Sequence, residues 1–141
     1  MQLRQVTPRY FVSPQIAAED IAALADAGFT HVICNRPDAE VPPSHQAAAI
    51  GAAVEAAGLT FVVNPLTHDT MTPDRTGLQR DTLDGAEGKV LAYCASGTRS
   101  TVAWTLAHAG DLGPDSVLQA AAEAGYDLAA LRPRLQMIAG S

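Results

Sequence analysis

The chain has 141 residues, the size of one domain with a core of its own, and 48% of them are hydrophobic against 17% charged, a composition that excludes a disordered chain. Fifteen acidic residues face nine basic ones, of which only Lys89 is a lysine, leaving a formal charge of −6. No basic stripe exists to neutralise phosphates, so nucleic acid is excluded as a partner, and no apolar run approaches the ~20 residues of a membrane span.

The opening MQLRQVTPRYFVS lacks the apolar centre of a secretion signal, so a cytoplasmic setting with Cys34 and Cys94 reduced is expected. YFVS (10–13) reads as a short strand, and IAAEDIAALADAG (16–28) as a helix that Gly28 can close. HVICN (31–35) is a β-branched run with the look of a buried strand, stopped by the loop RPDAEVPPS. Ser44 is a candidate N-cap for HQAAAIGAAVEAA, with Gly58 just beyond its end. TFVVNPL (60–66) is the next strand. Thr72-Pro73 is an N-cap and first-turn pair for a helix to about Leu83. KVLAYC (89–94) is the fourth strand; helical segments follow at about 98–109 and 114–124, and the tail adds a short one.

Strand and helix alternate at intervals that predict an α/β fold, a single domain over 1–141 with a mostly parallel sheet of four or five strands flanked by helices. In such folds ligands sit beyond the carboxyl ends of the strands. Cys94 falls at one such end, as do Asn35-Arg36-Pro37-Asp38 and the loop from Asn64 to Thr70.

The chemistry is concentrated in CASGTRS (94–100), placed between a strand and a helix. Gly97 permits a tight turn, and the backbone N–H groups of Ala95, Ser96, Gly97, Thr98, Arg99 and Ser100 would form a concave cradle at the positive end of the helix. The planar fork of Arg99 suits bidentate contact with a tetrahedral oxyanion. The same field favours the thiolate of Cys94 over the thiol, which makes it a nucleophile at the floor of an anion site. Ser100 could donate a hydrogen bond to the sulfur. A buried cysteine can also be only a small apolar core residue; strand before, glycine within and helix after distinguish this one.

LAYCASGTRS resembles the signature of the bacterial DUF442 proteins, whose phosphatase-like domain is also found fused to β-lactamase-like hydrolases. SPQIAAEDIAALADAGFTHVICNRPDAE, AAVEAAGLTFVVNPL and AAEAGYDLAALR extend the similarity over nearly the whole chain. The resemblance implies a fold like the dual-specificity phosphatases, with Cys94 as nucleophile and Arg99 as oxyanion clamp. One departure stands out. Cysteine phosphatases typically place five residues between cysteine and arginine, and here there are four. Cys-x-x-Gly-x-Arg-Ser is also how many single-domain rhodaneses read, and those enzymes carry sulfur as a cysteine persulfide.

Three functions therefore stay open: a phosphate monoester hydrolase, a sulfurtransferase using thiosulfate or a persulfide, and a non-catalytic anion-binding module. The expected partner in each is a small anion. Hydrolysis calls for a general acid, for which Asp69 is the first candidate and His68 the second, while Asp74 suits the first turn of its helix. Arg36 could add positive charge at the pocket rim, or pair with Asp38 or Glu40. Cys34 reads as core, with a resolving-thiol role requiring proximity to Cys94. Trp104 reads as a core anchor. The histidines at 31, 45, 68 and 108 show no metal spacing, so neither metal nor other cofactor is expected.

Overall fold

A computed structural model describes residues 1–140. Five strands form one sheet: β1 (Arg4–Gln5), β2 (Tyr10–Ser13), β3 (Phe29–Cys34), β4 (Thr60–Val63) and β5 (Lys89–Tyr93). Six helices accompany them: α1 (Ile21–Asp26), α2 (Ala47–Ala56), α3 (Pro73–Gly85), α4 (Thr98–Leu112), α5 (Pro114–Glu123) and α6 (Arg132–Ala139). The sheet order is β1-β2-β5-β3-β4, parallel throughout except for the antiparallel edge strand β1.

β5 lies at the centre with parallel neighbours on both sides, which is why KVLAY is a nearly unbroken apolar run. Its residues alternate between two cores. Val90 and Ala92 join Tyr10, Ile33, Trp104, Val117 and Leu135 on the face covered by the later helices. Leu91 and Tyr93 join Ile21, Leu24, Ile50 and Val54 on the face covered by α1 and α2. Trp104 is a core residue as expected, its ring stacked on Tyr10 with centroids 6.2 Å apart. Among the described residues no helix is long and apolar enough to cross a membrane.

Several boundaries differ from the sequence reading. The first helix begins as a 3-10 turn at Ala18–Asp20, because Asp20 Oδ2 turns back to accept the Ala17 N–H at 2.9 Å, and regular α-helix starts only at Ile21. Ser44 is not an N-cap. It lies in a 3-10 turn, Pro43–His45, which Pro42 and Pro43 set up, and α2 starts at Ala47. The amide of Ala47 donates instead to Asp38 Oδ1 at 2.8 Å, so a carboxylate nine positions upstream serves the helix end. β4 stops at Val63, after which Asn64 N–H and Leu66 N–H bond to the carbonyls of Cys34 and Asn35 at 2.9 and 2.8 Å. Thr72 and Pro73 do start α3. β1 is an addition that two exposed residues gave no pattern to announce.

Candidate active site

β5 delivers Cys94 to the carboxyl edge of the sheet, between the ends of β2 and β3, where its N–H bonds to the Ser13 carbonyl at 3.3 Å. The residue is fully buried. The chain then turns at Gly97, the N-cap of α4, which adopts φ +92° and ψ −11°, a left-handed conformation that favours glycine. This turn aims the Gly97 N–H at Cys94 Sγ, 3.1 Å away. Ser96 and Thr98 close the outer side of the loop through their hydroxyls, 2.9 Å apart. The first amides of α4 have no acceptor within the helix, so the positive helix end faces the same space.

Above the loop lies a cavity of about 490 Å³ lined by Glu40, Thr67, His68, Ala95, Ser96, Thr98 and Arg99. Arg99 leaves the first turn of α4 and is held in three places. Its Nη1 donates to the Leu66 carbonyl and to Glu40 Oε2, both at 2.8 Å, and its Nη2 donates to Glu40 Oε1 at 2.7 Å. Arg36 reaches the same carboxylate through Nε at 3.3 Å. The hydrogen bond from Arg99 holds the Glu40 carboxyl below the ordinary carboxylate range, with Arg36 adding to it. Glu40 was visible in sequence only as a partner for Arg36; its bidentate contact with Arg99 is a feature of the fold.

The other expected residues divide. His68 and Asp69 are both exposed in the 67–70 turn, and of the two only His68 is among the residues lining the cavity. Arg36 is likewise not among them and pairs with Glu40, leaving Asp38 to cap α2. Ser100 is fully buried, and its hydroxyl donates to Asn35 Oδ1 at 2.8 Å rather than to the sulfur. Cys34 and Cys94 are both free thiols. Cys34 packs with Tyr93 in the α1/α2 core, where its Sγ donates to the Arg36 carbonyl at 3.4 Å and burial pushes its pKa up.

Beneath the loop is a polar network that sequence reading missed. Gln79 of α3 donates to Asn35 Oδ1 at 2.7 Å and to Tyr10 Oη at 3.0 Å. Its Oε1 accepts from the side-chain amides of Asn35 and Asn64, both at 2.9 Å. Tyr10 Oη in turn donates to the Ser100 carbonyl at 2.8 Å. Four elements are thereby tied to the first turn of α4. α3 buries Thr76, Gln79 and Leu83, a face with a single apolar residue, so the sequence pattern offered no signal that Gln79 is buried.

These features define a class: an α/β domain of phosphatase fold with a cysteine loop at the end of its central strand. The chain belongs to the family described as beta-lactamase hydrolase-like protein, phosphatase-like domain, which residues 2–111 match. It is 30% identical over 131 residues, 91% of its length, to a beta-lactamase hydrolase-like protein of Xylella fastidiosa. It is 29% identical over 111 residues, 79% of its length, to one of Agrobacterium fabrum. It spans only 30% and 26% of those relatives. Among solved structures, a protein of Neisseria meningitidis described as a candidate phosphatase superposes with TM-score 0.84 at 31% identity, over 98% of this chain and 99% of that one. TpbA of Pseudomonas aeruginosa, solved with phosphotyrosine, superposes with TM-score 0.63 over 99% and 90% of the two chains, and at 18% identity it bears on the fold alone.

Proposed function

We propose that this chain hydrolyses phosphate monoesters through Cys94. The observation that carries the reading is the Cys94 sulfur, buried beneath a loop whose Ala95, Ser96, Thr98 and Arg99 line the cavity, and accepting the Gly97 N–H at 3.1 Å. The sulfur attacks phosphorus; the S–P bond forms as the bond to the ester oxygen breaks. Developing charge on the phosphoryl oxygens falls on the loop amides and on Arg99, which exchanges Glu40 for the substrate. His68 gives its proton to the leaving oxygen. Water then attacks phosphorus and yields a proton to His68, the S–P bond breaks, and inorganic phosphate departs.

Sulfur transfer is the second reading, supported by the four-residue spacer and by the lack of an unpaired carboxyl group among the cavity-lining residues. Here Cys94 attacks the outer sulfur of thiosulfate, sulfite leaves, and a thiol acceptor takes the sulfur from the persulfide. No proton donor to an alkoxide is needed.

The deciding experiment assays the protein and a Cys94→Ser variant on an aryl phosphate and on thiosulfate with a thiol. Cys94-dependent release of aryl alcohol supports the hydrolase. Turnover of thiosulfate alone overturns it in favour of sulfur transfer. Inertness to both, with phosphate still bound, leaves an anion-binding module.

A further inference from the structure

Helix α5 ends in a turn that places one side chain against the cysteine loop from outside. Gly125, at φ +102°, reverses the chain; its N–H bonds to the Ala122 carbonyl at 3.0 Å and that of Tyr126 to the Ala121 carbonyl at 2.9 Å. This pair of bonds is a Schellman closure and fixes where the Tyr126 ring emerges. The Arg4 guanidinium lies over that ring, 5.9 Å from its centroid, and donates to the Ala124 carbonyl at 3.4 Å. Arg4 thus covers one face of the ring, and Tyr126 is only 9% exposed. Burial raises its pKa, so its hydroxyl stays a donor at neutral pH.

That hydroxyl donates to the Ser96 carbonyl at 2.9 Å. The Ser96–Gly97 peptide is trans, so its C=O and N–H point in opposite directions. Tyr126 holds the oxygen on the outer side, and the N–H of the same peptide plane consequently turns inward, onto Cys94 Sγ at 3.1 Å. A flipped peptide would present a carbonyl oxygen to the sulfur and to any bound anion. The fit is close: a Cβ on residue 97 would stand 2.1 Å from Tyr126 Oη. We propose that Tyr126 is a positioning residue that locks the Ser96–Gly97 peptide in its anion-accepting orientation, a role that rests on Cys94 being the nucleophile of the site. Tyr126 acts through the loop and lies beyond the part of the chain that matches the family, residues 2–111.

The test compares the protein with Tyr126→Phe, which removes one oxygen and keeps the ring. Iodoacetamide alkylation of Cys94, located by peptide mapping, is followed against pH with and without inorganic phosphate. Tyr126→Phe should alkylate more slowly at neutral pH, with its profile moved to higher pH. Protection by phosphate should need about tenfold more ligand, the worth of one hydrogen bond to a charged group. Unchanged profile and protection in the variant overturn the proposal. Amide hydrogen exchange provides a reading that depends on no variant. The Gly97 amide, turned inward, should exchange slowly in the wild-type protein, and fast exchange there overturns the proposal even if Tyr126→Phe fails to fold. A wild-type protein that phosphate does not protect and that lacks Cys94-dependent turnover removes the catalytic reading instead. Faster Gly97 amide exchange in Tyr126→Phe than in the wild type would then still support the role of Tyr126, and equal exchange would overturn it.

Discussion

Arg99 presents both terminal nitrogens to the Glu40 carboxylate, at 2.7 and 2.8 Å, from 59 positions away in sequence. The fork that would grip two oxygens of a phosphoryl group is gripping two oxygens of a carboxylate. An entering anion therefore competes with Glu40. Glu40→Gln keeps the size and removes the charge, so inorganic phosphate should inhibit the variant more tightly by up to about fivefold, the worth of a half-exposed ion pair of at most ~1 kcal/mol. Weaker inhibition would mean that Glu40 serves to hold Arg99 in place. The pH sign agrees with this scheme. Glu40 has a depressed pKa, so the pair is intact above the ordinary carboxylate range and is lost as pH falls through the depressed value.

Asn35 and Gln79 are 0% and 2% exposed and exchange hydrogen bonds through both ends of their amides. Asn35→Ala leaves the Ser100 hydroxyl and both ends of Gln79 short of partners. The cost should be about 1–3 kcal/mol in urea unfolding, with a loss of turnover as the first turn of α4 loosens. A variant with wild-type stability would show that water repairs the network.

Gly97 is constrained twice over. Its φ of +92° disfavours any side chain, and a Cβ would meet Tyr126 Oη at 2.1 Å. Gly97→Ala should lose at least ~1–2 kcal/mol from the left-handed conformation alone, with the clash adding to it, and should abolish phosphate binding measured by calorimetry. Binding that survives would require the loop to reach an N–H cradle by another backbone path.

What the sequence revealed of this molecule was local. Cys94, Gly97 and Arg99 lie within one strand–turn–helix step, so spacing and secondary structure together placed them. The parallel sheet was legible because β5 and β3 carry runs of apolar residues flanked by helices. The partners that make the site specific come from far along the chain. Glu40 lies 59 residues from Arg99, Gln79 lies 44 from Asn35 and Tyr126 lies 30 from Ser96. Periodicity carries no information about such pairs, because a polar residue in a loop reads alike whether it meets solvent or an arginine. Local competition explains the rest. Pro42 and Pro43 spent Ser44 on a 3-10 turn and left Asp38 to cap α2.

His108 of α4 is 8% exposed, and its Nε2 is buried with no hydrogen-bond partner. Burial, with Arg80 nearby, lowers its pKa from 6.5, although Asp111 Oδ2 stands 3.7 Å from Nδ1 and favours the charged form. Desolvation outweighs that half-exposed carboxylate. The unfolded chain then binds a proton that the folded one resists, so stability should decline as pH falls through 6.5 towards the lowered value. Urea midpoints across this window should show the slope, and His108→Gln should flatten it. A slope in the variant equal to that of the wild type would assign the effect to other groups.

His68 and Asp69 are exposed neighbours in one turn, and of the two only His68 lines the cavity. If protonation of the leaving oxygen falls to His68, then His68→Gln should lower kcat on a poor leaving group, such as an alkyl phosphate, by about 10²–10⁴-fold. It should barely affect an aryl phosphate with an acidic phenol, which leaves without help. Asp69→Asn should alter neither substrate by more than about twofold, since a solvated carboxylate outside the cavity supplies little. The contrast between leaving groups is the informative quantity, because a variant that only disturbed binding would slow both equally. A large loss in Asp69→Asn confined to the alkyl substrate would return the acid to Asp69 and require the 67–70 turn to swing inward on binding. Thiosulfate turnover, in which sulfite leaves without a proton, should be the same in both variants.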